Sequence, residues 1–138
     1  MITLAKFFKA VKTLQPQGRS VLGLIINKKP AAVKYPGIAL VKIVIKESSD
    51  WPAIERKIEK AFEAKKWIAL EIEDNLPPEL FNQLKSLAVQ NRWQAASGEL
   101  LRQPPATRII FEVKSETLKK IETIYPNFRM LFGLIITI

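Results

Sequence analysis

Nine cations, Lys6, Lys9, Lys12, Arg19, Lys28, Lys29, Lys34, Lys42 and Lys46, precede the first carboxylate, Glu47. The whole chain has 22 Lys and Arg against 13 Asp and Glu, a formal charge of +9, so the excess lies in residues 1–46 and the remainder balances. Lysines along one helix face, followed by a Lys-rich loop, can neutralise phosphates and release their counterions. Lys6, Lys9, Lys12, Arg19, Lys28, Lys29, Lys34 and Tyr35 are therefore the candidate contacts to a polyanion. An acidic protein or an anionic membrane surface would meet the same charges. Base-specific readout has no support, because the chain lacks a zinc-finger pattern, an RNP-type aromatic pattern and a basic region leading into heptads. Trp67 and Trp93 adjoin apolar runs and are expected in a core rather than under a stacked base.

The one tight carboxylate group is Glu71, Glu73 and Asp74. The first two share a strand face, and the three could hold a hard cation such as Mg²⁺ for phosphodiester hydrolysis. Yet acids just before a helix also stabilise its dipole, and a catalytic site needs more converging groups than these. The chain contains no Cys and no His. That removes disulfides, Cys/His zinc sites, a cysteine nucleophile and a Ser-His-Asp relay. Its five glycines are scattered, so neither a P-loop nor a dinucleotide fingerprint is present. A protein without catalysis and without a cofactor is expected.

The elements that must carry these residues follow from periodicity. Leu4, Phe7, Phe8, Val11 and Leu14 predict a helix with Lys6, Lys9 and Lys12 on its other side. Val21 to Ile26 reads as a buried strand and Ile38 to Lys46 as a half-buried one, with a basic loop, Asn27 to Gly37, between them. Ser48-Ser49-Asp50 and Pro52 open a second helix reaching about Lys66. Trp67 to Glu73 is a strand, and Pro77-Pro78 start a helix to about Asn91. Then come a weak strand at Trp93 to Ala96, a strand from Thr107 to Lys114, a short helix capped by Ser115, and an apolar strand from Arg129 to Ile138. Within it Leu131 to Ile138 carries no charge to guard an edge, so a central place in the sheet is expected for it. The longest apolar run, Met130 to Ile138, falls far short of the roughly 18 residues that span a bilayer.

The order helix, strand, strand, helix, strand occurs twice, and residues repeat with it. Phe8, Val11, Lys12 and Leu14 lie over Phe81, Leu84, Lys85 and Leu87. Lys57-Ile58-Glu59 recurs as Lys120-Ile121-Glu122. Binary patterning alone repeats readily, but charged positions repeat less so. The expectation is a single α+β domain over residues 1–138, built of two tandem αββαβ pseudo-repeats, about 1–74 and 75–138. These would form one mainly antiparallel sheet with helices packed on one face, the second half having the ferredoxin-like element order. Functionally the sequence points to a cytoplasmic, non-enzymatic module that binds nucleic acid without sequence specificity, or an acidic partner. The alternatives are a structural or adaptor subunit, which could include a homo-oligomer, and a Mg-dependent phosphodiesterase.

Overall fold

The computed structural model describes residues 3–15, 20–30, 33–35, 40–46, 48–104 and 107–138. Its elements run α1 (Leu4–Thr13), β1 (Gly23–Asn27), β2 (Leu40–Ile45), α2 (Trp51–Glu63), β3 (Trp67–Ile72), α3 (Pro78–Gln90), β4 (Arg92–Gln94), β5 (Leu100–Arg102), β6 (Ile109–Lys114), α4 (Ser115–Ile124), a 3-10 turn (Phe128–Leu131) and β7 (Leu134–Thr137).

Five strands form one sheet in the order β2-β3-β6-β1-β7, and every pairing in it is parallel. This corrects the expected mainly antiparallel, ferredoxin-like sheet with helices on one face. Two strands with no helix between them look like a hairpin, yet β1 and β2 lie three positions apart. Residues 28–39 carry the chain from one to the other, and parallel strands need a connection of about a dozen residues or more. The strands aligned by the internal repeat also part company. β1 lies within the large sheet, whereas β4 pairs antiparallel with β5 in a separate two-stranded sheet. No two-fold relation therefore links the halves of the large sheet.

Both faces of the sheet are covered, as a parallel sheet requires. The connections β2-α2-β3, β3-α3-β6 and β6-α4-β7 all step the same way across the sheet, and crossovers of one hand then put their helices on one face. There Leu24, Ile26, Ile43, Ile45, Ile68, Leu70, Ile72, Ile109, Phe111 and Val113 meet Ile54, Ile58 and Phe62 of α2, Leu80, Leu84 and Leu87 of α3, and Leu118 and Ile121 of α4. The β1–β2 connection steps the opposite way, and its described residues Val33 and Tyr35 pack on the other face. That face buries Ile25, Trp67, Ile110 and Ile136 under Phe7, Phe8 and Val11 of α1 and Val33 of the connection. Trp93 is fully buried against Phe62 and the half-buried Trp51.

β7 is an edge strand beside β1, not the central strand its uncharged sequence suggested. Ser115 is the first residue of α4 and not its cap, a position held by Lys114 without a side-chain cap bond. Among the described residues no helix is long and apolar enough to cross a membrane.

Candidate anion site at the carboxyl edge of the sheet

In an open parallel sheet, ligands bind beyond the carboxyl ends of the strands, where two neighbours send their connections to opposite faces. β1 and β6 are such neighbours, paired from Gly23↔Ile110 to Asn27↔Lys114. β1 leads into the connection over the α1 face, and β6 leads into α4 on the other. The strand ends come together as a cleft of about 540 Å³ lined by Asn27, Lys28, Lys29, Pro30, Lys114, Ser115 and Glu116.

Local chemistry shapes this mouth. Asn27 is only 1% exposed. Its Oδ1 accepts from the Lys29 N–H at 2.9 Å, the turn by which an asparagine ends a strand. The turn leaves Lys28 and Lys29 exposed. Across the cleft the Lys114 ammonium donates to the Lys29 carbonyl, tying the β6 end to the β1 end. The first turn of α4 also opens here. With no side chain bonding back at its cap, its leading N–H groups keep their capacity for an anion, aided by the helix dipole. Glu116 lies in that first turn and offsets part of the positive field.

Behind the cleft, on the α1 face, lies a charged strip in an otherwise apolar layer. Glu112 on β6 is 2% exposed and stands in register with Glu71 on β3. Two adjacent carboxylates repel, and Lys42 of β2 offsets this from 3.6 Å to Glu71 and 4.0 Å to Glu112. The Tyr35 hydroxyl donates to Glu112 at 2.8 Å, and its ring packs on Phe8 with centroids 5.3 Å apart. Tyr35 thus pins the β1–β2 connection to the sheet.

Burial first, then the Glu112 charge and hydrogen bond, hold the Tyr35 hydroxyl well above its ordinary value, which is about 10 for a phenol. The native state therefore keeps that proton at alkaline pH where the unfolded chain loses it. Stability from this group is fully present below about pH 10 and falls above it by up to about 1.4 kcal/mol per pH unit. Urea unfolding from about pH 10 to about pH 12 is expected to show a steeper loss in the native chain than in Tyr35→Phe. Equal slopes would refute the linkage.

The structure divides the residues singled out in the sequence. Lys28 and Lys29 are brought to the cleft, and Lys34 is exposed on the connection beside Tyr35. Lys6, Lys9 and Lys12 are exposed along α1, but Lys12 borders a different cleft, at the amino ends of the strands. Arg19 lies outside the described residues. Glu71 is engaged by Lys42 and Glu73 by Lys46 at 3.5 Å, while Asp74 Oδ1 accepts from the Asn75 N–H at 2.6 Å. Among the described residues no three acidic side chains are placed to hold a metal ion. Asn27, Lys114 and the start of α4 were not foreseen, because they meet through the β1–β6 pairing, which joins segments far apart in sequence. The one local sign was a polar Asn-Lys-Lys-Pro directly after an all-apolar strand.

No family model matches the chain. No curated protein matches it either. The site is therefore read from its own chemistry.

Proposed function

We propose that this protein binds the phosphate backbone of a nucleic acid without reading its sequence, seating a phosphate at the carboxyl-edge cleft. The observation that carries the reading is the convergence of Lys28, Lys29, Lys114 and the open first turn of α4 on one cleft. The exposed Lys6 and Lys9 of α1 extend the positive surface along which a backbone could run. Nothing in the cleft offers a base-edge code, so affinity rather than specificity is the expected property.

Fluorescence anisotropy with unrelated single- and double-stranded oligonucleotides across a salt series tests this. The native chain is expected to bind with an affinity that falls steeply as salt rises. The double variant Lys28→Glu, Lys29→Glu should weaken binding to all sequences alike. It should also lower the salt slope by about 2, since each lysine removed leaves one phosphate with its counterions. Absence of binding at low salt, or an unchanged slope in the variant, would overturn the proposal.

A second reading, that the chain is a subunit of a larger assembly, is favoured by one observation: β7 is an edge strand, and Leu131 to Ile138 carries no charge. Pairing through that edge predicts a concentration-dependent dimer insensitive to salt.

A further inference from the structure

At the opposite end of the sheet, a cleft of about 470 Å³ is lined by Lys12 at the end of α1, Gln90 and Asn91 at the end of α3, Arg102 at the end of β5 and Gln103 just after it, and Arg108 before β6. Its volume is that of a small-molecule site, typically about 300 to 1,000 Å³. Two features separate it from an ordinary surface dent. Gln103 is 2% exposed, and its Nε2 donates to the Thr107 carbonyl at 2.7 Å. That bond fixes the amide, since turning it over would set two oxygens against each other. Its Oε1 is then left buried without a partner, and so is Oδ1 of Asn91. Buried acceptors cost stability while unsatisfied, and native chains satisfy nearly all of them. The same cleft has exposed cations, Lys12 and Arg102, at its rim. Arg108 is already committed to backbone carbonyls.

Unpaired acceptors inside and cations at the rim call for a ligand of complementary polarity. We infer that the amino-end cleft binds a small anion joined to N–H donors, its amino group meeting Gln103 Oε1 and Asn91 Oδ1 and its anionic group meeting Lys12 and Arg102. Two sources share this chemistry: a nucleotide whose base bears an exocyclic amine, and a free α-amino acid. The site is independent of the carboxyl-edge cleft, and neither stands or falls with the other.

Isothermal titration of the full chain with cytidine and adenosine monophosphates, their uridine and inosine counterparts, α-amino acids, and inorganic phosphate tests it. A nucleotide site is expected to take cytidine or adenosine monophosphate at least about tenfold more tightly than the keto-bearing counterparts, which present an acceptor where a donor is needed. An amino-acid site is expected to take an amino acid and none of the nucleotides. In either case Arg102→Glu, an exposed change that should leave folding intact, and Gln103→Met should each weaken binding by about tenfold or more. Lys28→Glu, Lys29→Glu should leave it unchanged. If no member of the panel binds, if phosphate binds as well as the amine-bearing ligands, or if Arg102→Glu changes nothing, the inference is overturned and the buried acceptors are satisfied by water alone.

Discussion

Gly133→Ala is expected to destabilise the fold by about 3 kcal/mol or more, at the top of the range for overpacking. A Cβ at this position would fall on the carbonyl oxygen of Ser20, with the Leu14 side chain next to it. The obstacle is backbone and not the end of a flexible side chain, so it cannot turn aside. Gly133 also donates its N–H to the Leu22 carbonyl at 2.9 Å, which holds the entry of β7 against the entry of β1. Relief must therefore come from moving one of the two strand entries. Gly98→Ala makes the control, since its φ is +91° and nothing lies within 4 Å of the added methyl. That change meets only the left-handed backbone penalty, roughly 1–2 kcal/mol. Urea unfolding of the three proteins gives the comparison. A Gly133→Ala chain no less stable than Gly98→Ala would show that the two strand entries are not packed as described.

Removal of the Arg108 guanidinium comes next in size. Arg108 is 7% exposed. Its Nε donates to Val11 O at 3.2 Å, Nη2 to Leu14 O at 2.9 Å and, at the limit of 3.5 Å, to Lys12 O, while Nη1 reaches Thr107 O at 2.9 Å. These include terminal carbonyls of α1, which a helix cannot satisfy from within. Burial lowers the guanidinium's pKa from its ordinary value, but an arginine starts so high that it stays charged throughout the working range. Arg108→Met keeps the stem and removes every donor. The expected loss is about 2–4 kcal/mol: Val11 O keeps the Leu14 N–H and Thr107 O keeps Gln103 Nε2, but Leu14 O and Lys12 O lose their guanidinium donor, at roughly 1–3 kcal/mol each with partial relaxation. Because the bonds join β6 to α1, the loss should also be local. Amide exchange at Phe7, Phe8 and Val11 is expected to accelerate more than at Ile58 or Ile121 on the other face. Arg108→Lys, with a single ammonium, should fall between. Uniform acceleration on both faces would show that Arg108 does not hold α1 in particular.

Much of the local structure was legible from residue type and spacing. The stripe Phe7, Phe8, Val11 is the buried side of α1, and Ile54, Ile58, Phe62 that of α2. Pro78 lies in the first turn of α3, where its missing N–H costs nothing. The strand from Trp67 and the strand ending at Lys114 lie where alternation placed them. What alternation concealed is that Trp67, Ala69 and Ile110 are buried as well, Trp67 and Ile110 within the second face's apolar layer. A strand buried on both sides is the mark of a parallel sheet. Glu71 and Glu112, however, interrupt the second face with charge and made these strands look one-sided. Of the β4–β5 pair, only a weak strand at Trp93 to Ala96, overlapping β4, was legible, and β5 and the pairing were not, for a different reason. Both strands are three residues each, too short for a period of two to register, and β4 is held by two bonds from Gln83 to the Gln94 backbone at 2.6 and 2.9 Å.

The candidate site divides along the same line. Charge asymmetry is a property of composition, so the basic first third of the chain and the Lys28-Lys29 pair were visible without coordinates. That Lys114 joins them, that Tyr35 faces Glu112, and that Lys12 belongs with Arg102 and Gln103 at the far end depend on which strands are neighbours. By itself the sequence determined the elements, their buried stripes and the place of the charge, because each follows from interactions over a few residues. The tertiary structure alone decided strand order, the parallel sense and the two clefts. Strand pairing is chosen by contacts between segments far apart in the chain, and by the need to cover both faces of the sheet at once. No local period encodes either.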